Sequence, residues 1–347
     1  MTAQQHIFKY TKPFLTESGA TLNSFELAYT TLGTLNATQD NVVWVCHAFS
    51  GNDNVLDWWP GLFGEGKLYD PARDFIVCAN MLGSCYGSTG PLSTNTETGQ
   101  PYFHDFPVLT NRDIIGAFDL LRADLGLKKI QQLIGCSLGG QQALEWTISR
   151  PEVIQNLICI GASAKHSPWG IAFNQTQRMA IEQDPSWQER QPEAGLSGLK
   201  TARAVAMLSY RNYQTYLATQ QDPDDDKLEN FRACSYQEYQ GEKLVKRFNA
   251  FSYWYLSKAM DSQNIGRKRG TLEAVLSTIN IPCLYIGLSS DILFPIEEQQ
   301  FLAKHTPQAH YSEIDSLYGH DGFLIESVQL TEAITKYYES ISVLKTK

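Results

Sequence analysis

The apolar residues of this chain fall into short runs rich in β-branched side chains, which alternate with stretches whose apolar spacing suits helices. The first four runs are residues 41–46, 74–80, 130–135 and 157–162. The helical stretches are residues 111–127, which end near Gly126, and residues 139–150, which stop at Pro151. Strands that alternate with helices build a parallel sheet covered on both faces, so the pattern predicts an α/β fold.

The pattern changes between residues 165 and 270, where no run has the character of a strand. Helical spacing recurs there at residues 174–182, 199–219 and 237–260. Strand-like runs return at residues 281–288 and 310–314. A helical block inserted between strands of one sheet predicts a lid over the carboxyl edge of that sheet. We therefore predict a core domain of residues 1–164 and 271–347, and a helical lid domain of residues 165–270.

The composition is that of a globular protein and narrows the possible partners. The chain has 347 residues, 43% hydrophobic and 19% charged, enough for one large domain with an insertion or for two domains. A net charge of −9 without a basic stripe argues against a nucleic-acid partner, although small anionic ligands need only a few local cations. We expect a cytoplasmic protein, because the N-terminus lacks a signal-peptide segment and the apolar runs are too short to span a membrane.

The seven cysteines argue against a disulfide framework and against a metal site. Their number is odd, most lie in apolar strand-like runs, and no two have CxxC spacing. No cluster of histidines has the spacing of metal ligands either. We therefore expect reduced, buried thiols, no structural metal and no permanently bound cofactor.

The strongest chemical motif is Gly135-Cys136-Ser137-Leu138-Gly139, which matches G-x-S-x-G between a predicted strand and a predicted helix. Glycines suit this position because a sharp strand-to-helix turn brings the chain close to its neighbours. The turn lifts the serine oxygen clear of the sheet, at the positive end of the following helix. The motif and its context predict an α/β-hydrolase fold with Ser137 as the nucleophile.

The partners of such a serine follow it as an acid and then a histidine, each after a later strand. Asp291 follows the strand-like run 281–288, and His320 follows the run 310–314. We predict that His320 is the base and that Asp291 orients its ring. Asp321 is a rival for the acid and His166 a weaker rival for the base.

The oxyanion of an acyl transfer needs two fixed N–H groups. We expect one from Leu138, the residue after the nucleophile, and the other from Phe49, in the loop after the strand-like run 41–46. His47 lies in the same loop, where a structural role fits it better than a catalytic one.

Several longer segments resemble the homoserine O-acetyltransferase family, in register from about residue 25 to residue 330. In the first half these are HAFSG at 47–51, LDWWPGLFGEGK at 56–67, ANMLGSCYGSTGP at 79–91 and GCSLGGQQALEW around Ser137. In the second half they are NQTQRMAI at 174–181, GLKTARAVAMLSYR at 198–211, SYQEYQGEKLVKRFNAFSYWYLSKAMD at 235–261, SDILFP at 290–295 and GHDGFL at 319–324. This resemblance is much more specific than G-x-S-x-G alone.

The resemblance implies an α/β-hydrolase core with a helical lid, a homodimer, and acyl transfer from acetyl-CoA to the hydroxyl of L-homoserine in methionine biosynthesis. It implies the same triad of Ser137, Asp291 and His320. It also implies a homoserine-binding pair, in which Arg178 receives the α-carboxylate and Asp321 the α-ammonium group.

The chain departs from the family's usual residues at three places, namely Cys136, Gln141 and the HAFSG segment, where HALTG is common. The bulky Phe49 lies beside the expected oxyanion hole and bears on the shape of the acyl site. These departures leave the acyl donor less certain than the reaction type. The alternatives that stay open are a succinyl donor, serine as the acceptor, water as the acceptor in an esterase or deacetylase with the same triad, and a non-enzymatic interaction protein on the same scaffold.

Overall fold

The core of the protein is a mixed β-sheet, as seen in a computed structural model that describes residues 4–345. The strands of this part of the chain are β1 (Gln4–Tyr10), β2 (Phe14–Leu15), β3 (Thr21–Leu22), β4 (Phe25–Leu32), β5 (Val42–Cys46), β6 (Phe75–Ala79), β7 (Gln132–Cys136), β8 (Leu157–Ile160), β9 (Cys283–Leu288) and β10 (Ala309–Ile314). The main sheet has the order β1-β4-β6-β5-β7-β8-β9-β10, and β2 pairs with β3 separately. Strand β4 is antiparallel to β1 and β6, whereas the pairs from β6 to β10 are parallel. The predicted α/β-hydrolase sheet is confirmed.

Helices cover both faces of this sheet. Within residues 4–345 they are α1 (Val55–Trp58), α2 (Asn111–Asp124), α3 (Leu138–Ser149), α4 (Pro168–Glu182), α5 (Leu196–Tyr210), α6 (Tyr213–Gln220), α7 (Arg232–Val245), α8 (Ala250–Asp261), α9 (Leu272–Leu276), α10 (Ile296–His305), α11 (Gly322–Ile325) and α12 (Ser327–Lys345). Helices α2 and α3 bury Phe118 and Trp146 on one face, while α12 buries Leu330 and Ile334 on the other. No helix in this described part of the chain is both long enough and apolar enough to cross a membrane.

Strand β5 shows how the sheet is buried on both sides. Val42, Trp44 and Cys46 face one hydrophobic cluster, and Val43 and Val45 face the other. All five side chains are at most 2% exposed. A strand buried on both faces needs a continuous apolar run rather than an alternating one, and for this reason it is visible in the sequence.

Helices α4–α8, called the lid helices below, lie between β8 and β9 in the chain. Their buried residues, such as Ile181, Leu199 and Phe251, belong to the same hydrophobic cluster as the α3 face of the sheet. The lid helices therefore pack directly on the core through continuous apolar contacts.

Two of the predicted lid helices are each broken in two. The stretch 199–219 divides into α5 and α6, because Arg211 adopts an extended conformation and the Asn212 side chain caps α6. The stretch 237–260 falls into α7 and α8, and the Asn249 side chain caps α8. Asparagine side chains favour this position because they accept a hydrogen bond from the first turn of the helix.

A network of ion pairs joins Glu17, near the N-terminus, to residues 267–269, which follow the lid helices in the chain. Glu17 pairs with Arg112 of α2 at 3.0 Å and with Arg267 at 2.7 Å. Glu145 of α3, whose side chain is 2% exposed, pairs with Arg112 at 3.2 Å and with Arg269 at 2.6 Å. These shared charges connect elements that are far apart in the sequence, so the protonation of one carboxylate affects several contacts.

We predict that Glu17→Gln lowers the free energy of unfolding near neutral pH, and that its difference from wild type becomes smaller as the pH falls. Burial by itself raises the pKa of Glu17, but hydrogen bonds from Arg267 and Thr110 and the charges of Arg267 and Arg112 outweigh it, and lower the pKa from 4.5 to about 2. A folded-state pKa below the unfolded value means that the carboxylate stabilises the fold above about pH 4.5, and that this contribution is lost as the pH falls towards 2. Urea unfolding of both proteins from pH 7 to about pH 3 measures the difference.

The control for this experiment is Glu65→Gln, a substitution at an exposed glutamate that forms no ion pair with any residue in the range 4–345. Its effect on the free energy of unfolding should be small at every pH. A Glu17→Gln deficit that stays constant down to about pH 3 would contradict the role of the ionised carboxylate.

Candidate active site

Ser137 occupies a sharp turn between β7 and α3. Its backbone has φ 57° and ψ −127°, a strained conformation for a residue with a side chain. Close packing enforces the turn: a Cβ on Gly135 would lie 2.2 Å from the Gly139 carbonyl oxygen, and a Cβ on Gly139 would lie 2.1 Å from the Cys46 carbonyl oxygen. Only glycine fits at either position, as the sequence motif predicts.

The side chains of Ser137, His320 and Asp291 form one hydrogen-bonded chain. His320 Nδ1 lies 2.6 Å from Asp291 Oδ2, and His320 Nε2 lies 2.7 Å from Ser137 Oγ. Because a carboxylate only accepts, Nδ1 carries the ring proton and Nε2 is free to accept the hydroxyl proton of the serine. All three residues are at most 5% exposed. Such an arrangement turns the serine hydroxyl into a nucleophile.

The surrounding loops hold the acid and the base in this geometry. The second carboxylate oxygen of Asp291 accepts hydrogen bonds from the backbone N–H groups of Leu293 (2.8 Å) and Phe294 (2.9 Å). The Phe294 ring stacks on the His320 ring with 5.1 Å between centroids. The Asp291 carboxylate is therefore fixed at both oxygens, and the imidazole has little freedom to turn away from Ser137.

Of the two candidate acids, Asp291 contacts His320, whereas Asp321 forms an ion pair with Arg211 at 3.2 Å. The rival base His166 lies elsewhere, between the side-chain amides of Gln141 and Asn174 at 3.3 Å each. Burial lowers the pKa of His166 to about 4, so it stays neutral. Asp321 and His166, the rival acid and the rival base, therefore make other contacts and do not join the chain of Ser137, His320 and Asp291.

A pocket of about 160 Å³ opens at Ser137 and His320. Its apolar wall includes Trp58, Phe323 and Leu324. The polar residues that line it include Arg203, Arg247 and Asp321. The pocket thus combines a serine hydroxyl, an apolar surface, two cations and one carboxylate within a small volume.

The expected contact of Arg178 with a substrate needs correction, because Arg178 does not line this pocket. Its guanidinium is 2% exposed and pairs with Asp261 of α8 at 2.6 Å. It also donates hydrogen bonds to Ser257 (2.9 Å) and Gln175 (2.9 Å). These contacts use its donors within the lid helices, so Arg178 joins α4 to α8.

Arg203 of α5 is the cation that the sequence analysis missed. It lines the pocket beside Ser137 and Asp321, and its guanidinium lies 5.1 Å from the centre of the Tyr210 ring. Within residues 4–345 it forms no ion pair with a carboxylate. Arg203 belongs to the GLKTAR segment, which resembles the family. Only the orientation of α5 shows that Arg203, and not Arg178, faces the pocket.

The two expected oxyanion donors, Phe49 and Leu138, both lie near Ser137. Leu138 is the first residue of α3, and Phe49 lines the pocket while its ring packs on Tyr253 with 4.6 Å between centroids. In the described part of the chain, neither backbone N–H donates a hydrogen bond. Both are therefore available to an oxygen atom of a bound molecule.

A half-buried carboxyl group near the triad was not expected from the sequence. Glu298, in the first turn of α10, lies close to Asp291. Burial, and then the charge of Asp291, raise the pKa of Glu298 from 4.5 to about 7. No sequence signal distinguishes Glu298 from its exposed neighbour Glu297, because the difference lies in which side of α10 is covered.

The sheet, the serine turn and the hydrogen-bonded chain of Ser137, His320 and Asp291 define an enzyme of the α/β-hydrolase fold. The family model for the alpha/beta hydrolase fold matches residues 41–327. A homoserine O-acetyltransferase of Cyclobacterium marinum is 53% identical over 334 residues, which cover 96% of this chain and 95% of the relative. A homoserine O-acetyltransferase of Chlorobium chlorochromatii is 41% identical over 351 residues, with 98% and 97% covered.

Solved structures agree with these sequence comparisons. The homoserine O-acetyltransferase of Bacillus anthracis has a TM-score of 0.86 at 25% identity, covering 98% of this chain and 97% of its own. The acetyl esterase MekB has a TM-score of 0.84 at 20% identity with the same coverage, and shares the fold. The chain belongs to the homoserine O-acetyltransferase family of α/β-hydrolase-fold enzymes.

We predict that Gly139→Ala destabilises the protein by several kcal/mol and disables Ser137, because the new Cβ would lie 2.1 Å from the Cys46 carbonyl oxygen. Gly116→Ala is the matched control, since Gly116 is also helical and its Cβ would meet only the Phe14 ring at 3.5 Å. The control should change stability by less than about 1 kcal/mol, with helix propensity favouring alanine. Thermal unfolding and labelling of Ser137 with a fluorophosphonate measure both effects. Normal labelling of a stable Gly139→Ala protein would contradict the close packing at the turn.

Proposed function

We propose that the protein transfers an acetyl group from acetyl-CoA to the hydroxyl of L-homoserine, through an acetyl-serine intermediate, as a step of methionine biosynthesis. The main support is the hydrogen-bonded chain of Ser137, His320 and Asp291 in a pocket that also presents Arg203 and Asp321. A cation and a carboxylate beside a nucleophile suit a zwitterionic amino-acid substrate. The names of the relatives point in the same direction.

In the first half-reaction, His320 Nε2 takes the hydroxyl proton as Ser137 Oγ attacks the thioester carbonyl of acetyl-CoA. The negative charge that forms on the carbonyl oxygen is held by the N–H groups of Phe49 and Leu138. The C–S bond then breaks, and the coenzyme A sulfur leaves with the proton from His320. The product of this half-reaction is an acetyl ester on Ser137.

In the second half-reaction, homoserine occupies the same pocket. Arg203 binds its α-carboxylate and Asp321 its α-ammonium group, a revision of the Arg178 and Asp321 pair expected from the sequence. His320 takes the hydroxyl proton of homoserine as that oxygen attacks the acetyl ester. The ester bond to Ser137 breaks and the proton returns to the serine oxygen, which leaves O-acetylhomoserine.

The competing reaction is hydrolysis of the acetyl-serine, which needs the same triad and only water. A fold shared with an acetyl esterase does not separate transfer from hydrolysis. The charges of Arg203 and Asp321 favour transfer, because a simple acetyl esterase has no use for a site that binds an amino acid. Hydrolysis is therefore one of the outcomes that the test must detect.

In the test, the protein is incubated with L-homoserine and equal amounts of acetyl-CoA and succinyl-CoA in one vessel. The products are identified by mass spectrometry. We expect O-acetylhomoserine as the main product, with a transient enzyme species that is heavier by one acetyl group. Ser137→Ala should lower transfer by a factor of about a thousand or more, as expected for the loss of a triad nucleophile.

Each other outcome has a definite meaning. Predominant O-succinylhomoserine would show that succinyl-CoA is the donor. Formation of only free acid and coenzyme A would show that homoserine is not the acceptor; the acceptor would then be water, or serine would have to be tested next. Substantial transfer by Ser137→Ala would overturn the role of the nucleophile.

We further predict that Arg203→Ala lowers kcat/KM for homoserine roughly 10- to 100-fold, mainly through KM, because a charge-assisted hydrogen bond to the carboxylate is lost. Acetylation of Ser137 by acetyl-CoA alone should stay close to wild type. Lys200→Ala is the control, since Lys200 is a cation of the same helix that pairs with Glu242 and does not line the pocket. If Arg203→Ala blocks acetylation of Ser137 instead, Arg203 belongs to the donor site.

A further inference from the structure

His47 lies immediately after β5, and it is fully buried. Its Nδ1 lies 2.8 Å from the carbonyl oxygen of Ala48, and its Nε2 lies 3.3 Å from the backbone N of Met81. A carbonyl oxygen only accepts and a backbone N–H only donates, so Nδ1 carries the proton and Nε2 does not. The imidazole thus bridges the loop after β5 and the chain just past β6.

The hydrogen bond to Ala48 has a consequence for the next residue. The carbonyl of Ala48 and the N–H of Phe49 belong to one planar trans peptide group, so they point in opposite directions. The same carbonyl oxygen accepts a second hydrogen bond from Gly51 N at 2.8 Å, which closes a tight turn over residues 48–51. Holding this oxygen therefore fixes the direction of the Phe49 N–H.

The fixed N–H belongs to the loop that lines the pocket. Ala48, Phe49, Ser50 and Gly51 all border the cavity at Ser137. The Phe49 N–H donates to no other group in the described part of the chain, and an unpaired buried N–H is rare in proteins unless a ligand uses it. His47 itself does not line the pocket.

We propose that His47 is a positioning residue for the oxyanion hole, a neutral imidazole whose Nδ1–H holds the Ala48–Phe49 peptide so that the Phe49 N–H faces the acyl oxygen. It acts through the peptide group and exchanges no proton with the substrate. This inference rests on the acyl-serine chemistry proposed above, but not on the identity of the donor or of the acceptor.

The surroundings of His47 keep its ring neutral. Burial lowers the pKa of His47 from 6.5 to about 4, and the hydrogen bond to Ala48 and the charge of Asp53 oppose this only in part. The Asp53 carboxylate is itself engaged, because it accepts hydrogen bonds from Thr30 (2.8 Å), Asn80 (2.8 Å) and Gln5 (3.1 Å). A protonated ring would also lose the bond from Met81, so the positioning contact is constant across the working pH range.

Two substitutions separate the two hydrogen bonds of this imidazole. In His47→Asn, the side-chain amide nitrogen takes the position of Nδ1 and still donates to Ala48, but the acceptor for Met81 is lost. In His47→Gln, the side-chain oxygen takes the position of Nε2 and still accepts from Met81, but the donor to Ala48 is lost. Each variant keeps one bond of the pair, so their fold stabilities should be comparable.

We expect His47→Gln to lower kcat roughly 10- to 100-fold, somewhat less than the removal of an oxyanion donor, with KM little changed. His47→Asn should recover most of the lost rate. The pH at which kcat/KM rises should be the same in both variants and in wild type, because the contact of His320 with Ser137 is untouched. Acetylation of Ser137 is followed with acetyl-CoA and, separately, with p-nitrophenyl acetate, and thermal unfolding is recorded for each protein.

The outcomes distinguish the inference from the function on which it rests. Wild type that reacts with p-nitrophenyl acetate but not with acetyl-CoA and homoserine would overturn the proposed substrates, while the comparison of the two variants on p-nitrophenyl acetate would still test His47. Equal losses in both variants, or losses that follow the melting temperature, would reduce His47 to a structural role and overturn the inference. A wild-type rate for His47→Gln, or a shifted pH profile, would overturn it as well.

Discussion

The active site depends on one steric constraint, the turn at Ser137. A residue with a side chain is held at φ 57° because the chain on either side has no room to relax. Gly139 brings α3 against the end of β5, at the Cys46 carbonyl, so the strand that precedes residues 48–51 and the helix that follows Ser137 are in direct contact. The position of Ser137 Oγ and the position of residues 48–51 are therefore set by the same packing.

The positions of Asp291 and His320 depend in turn on the lid helices. Gly319, just before His320, has φ 60°, and a Cβ there would lie 2.9 Å from the Tyr210 carbonyl oxygen at the end of α5. Asn212, which caps α6, also donates to the Ser290 carbonyl at 3.2 Å, next to Asp291. The break between α5 and α6, one short segment of the lid, thus lies against the loops that carry Asp291 and His320.

The order of Ser137, Asp291 and His320 could be predicted because Ser137 and Asp291 each follow a strand whose continuous apolar run is visible in the sequence, and His320 follows the next strand along the chain. The break between α5 and α6 could have been found from Asn212, but helical spacing alone continues across it. The choice between Arg178 and Arg203 could not be made, because both lie on amphipathic helices of the same block. Which side of such a helix faces the pocket depends on packing against other helices, here the pairing of Arg178 with Asp261.

In the proposed reaction, the pocket and not the triad determines whether the acetyl group is transferred to homoserine or hydrolysed by water. A triad activates any hydroxyl that reaches His320, so water competes with homoserine at every turnover. The ion pair of Asp321 with Arg211 matters for this competition, because it fixes the carboxylate of a residue that lines the cavity. In the proposed reaction, Arg203 and Asp321 of the same cavity bind both charges of homoserine before its hydroxyl meets the ester, and this ordering favours homoserine over water.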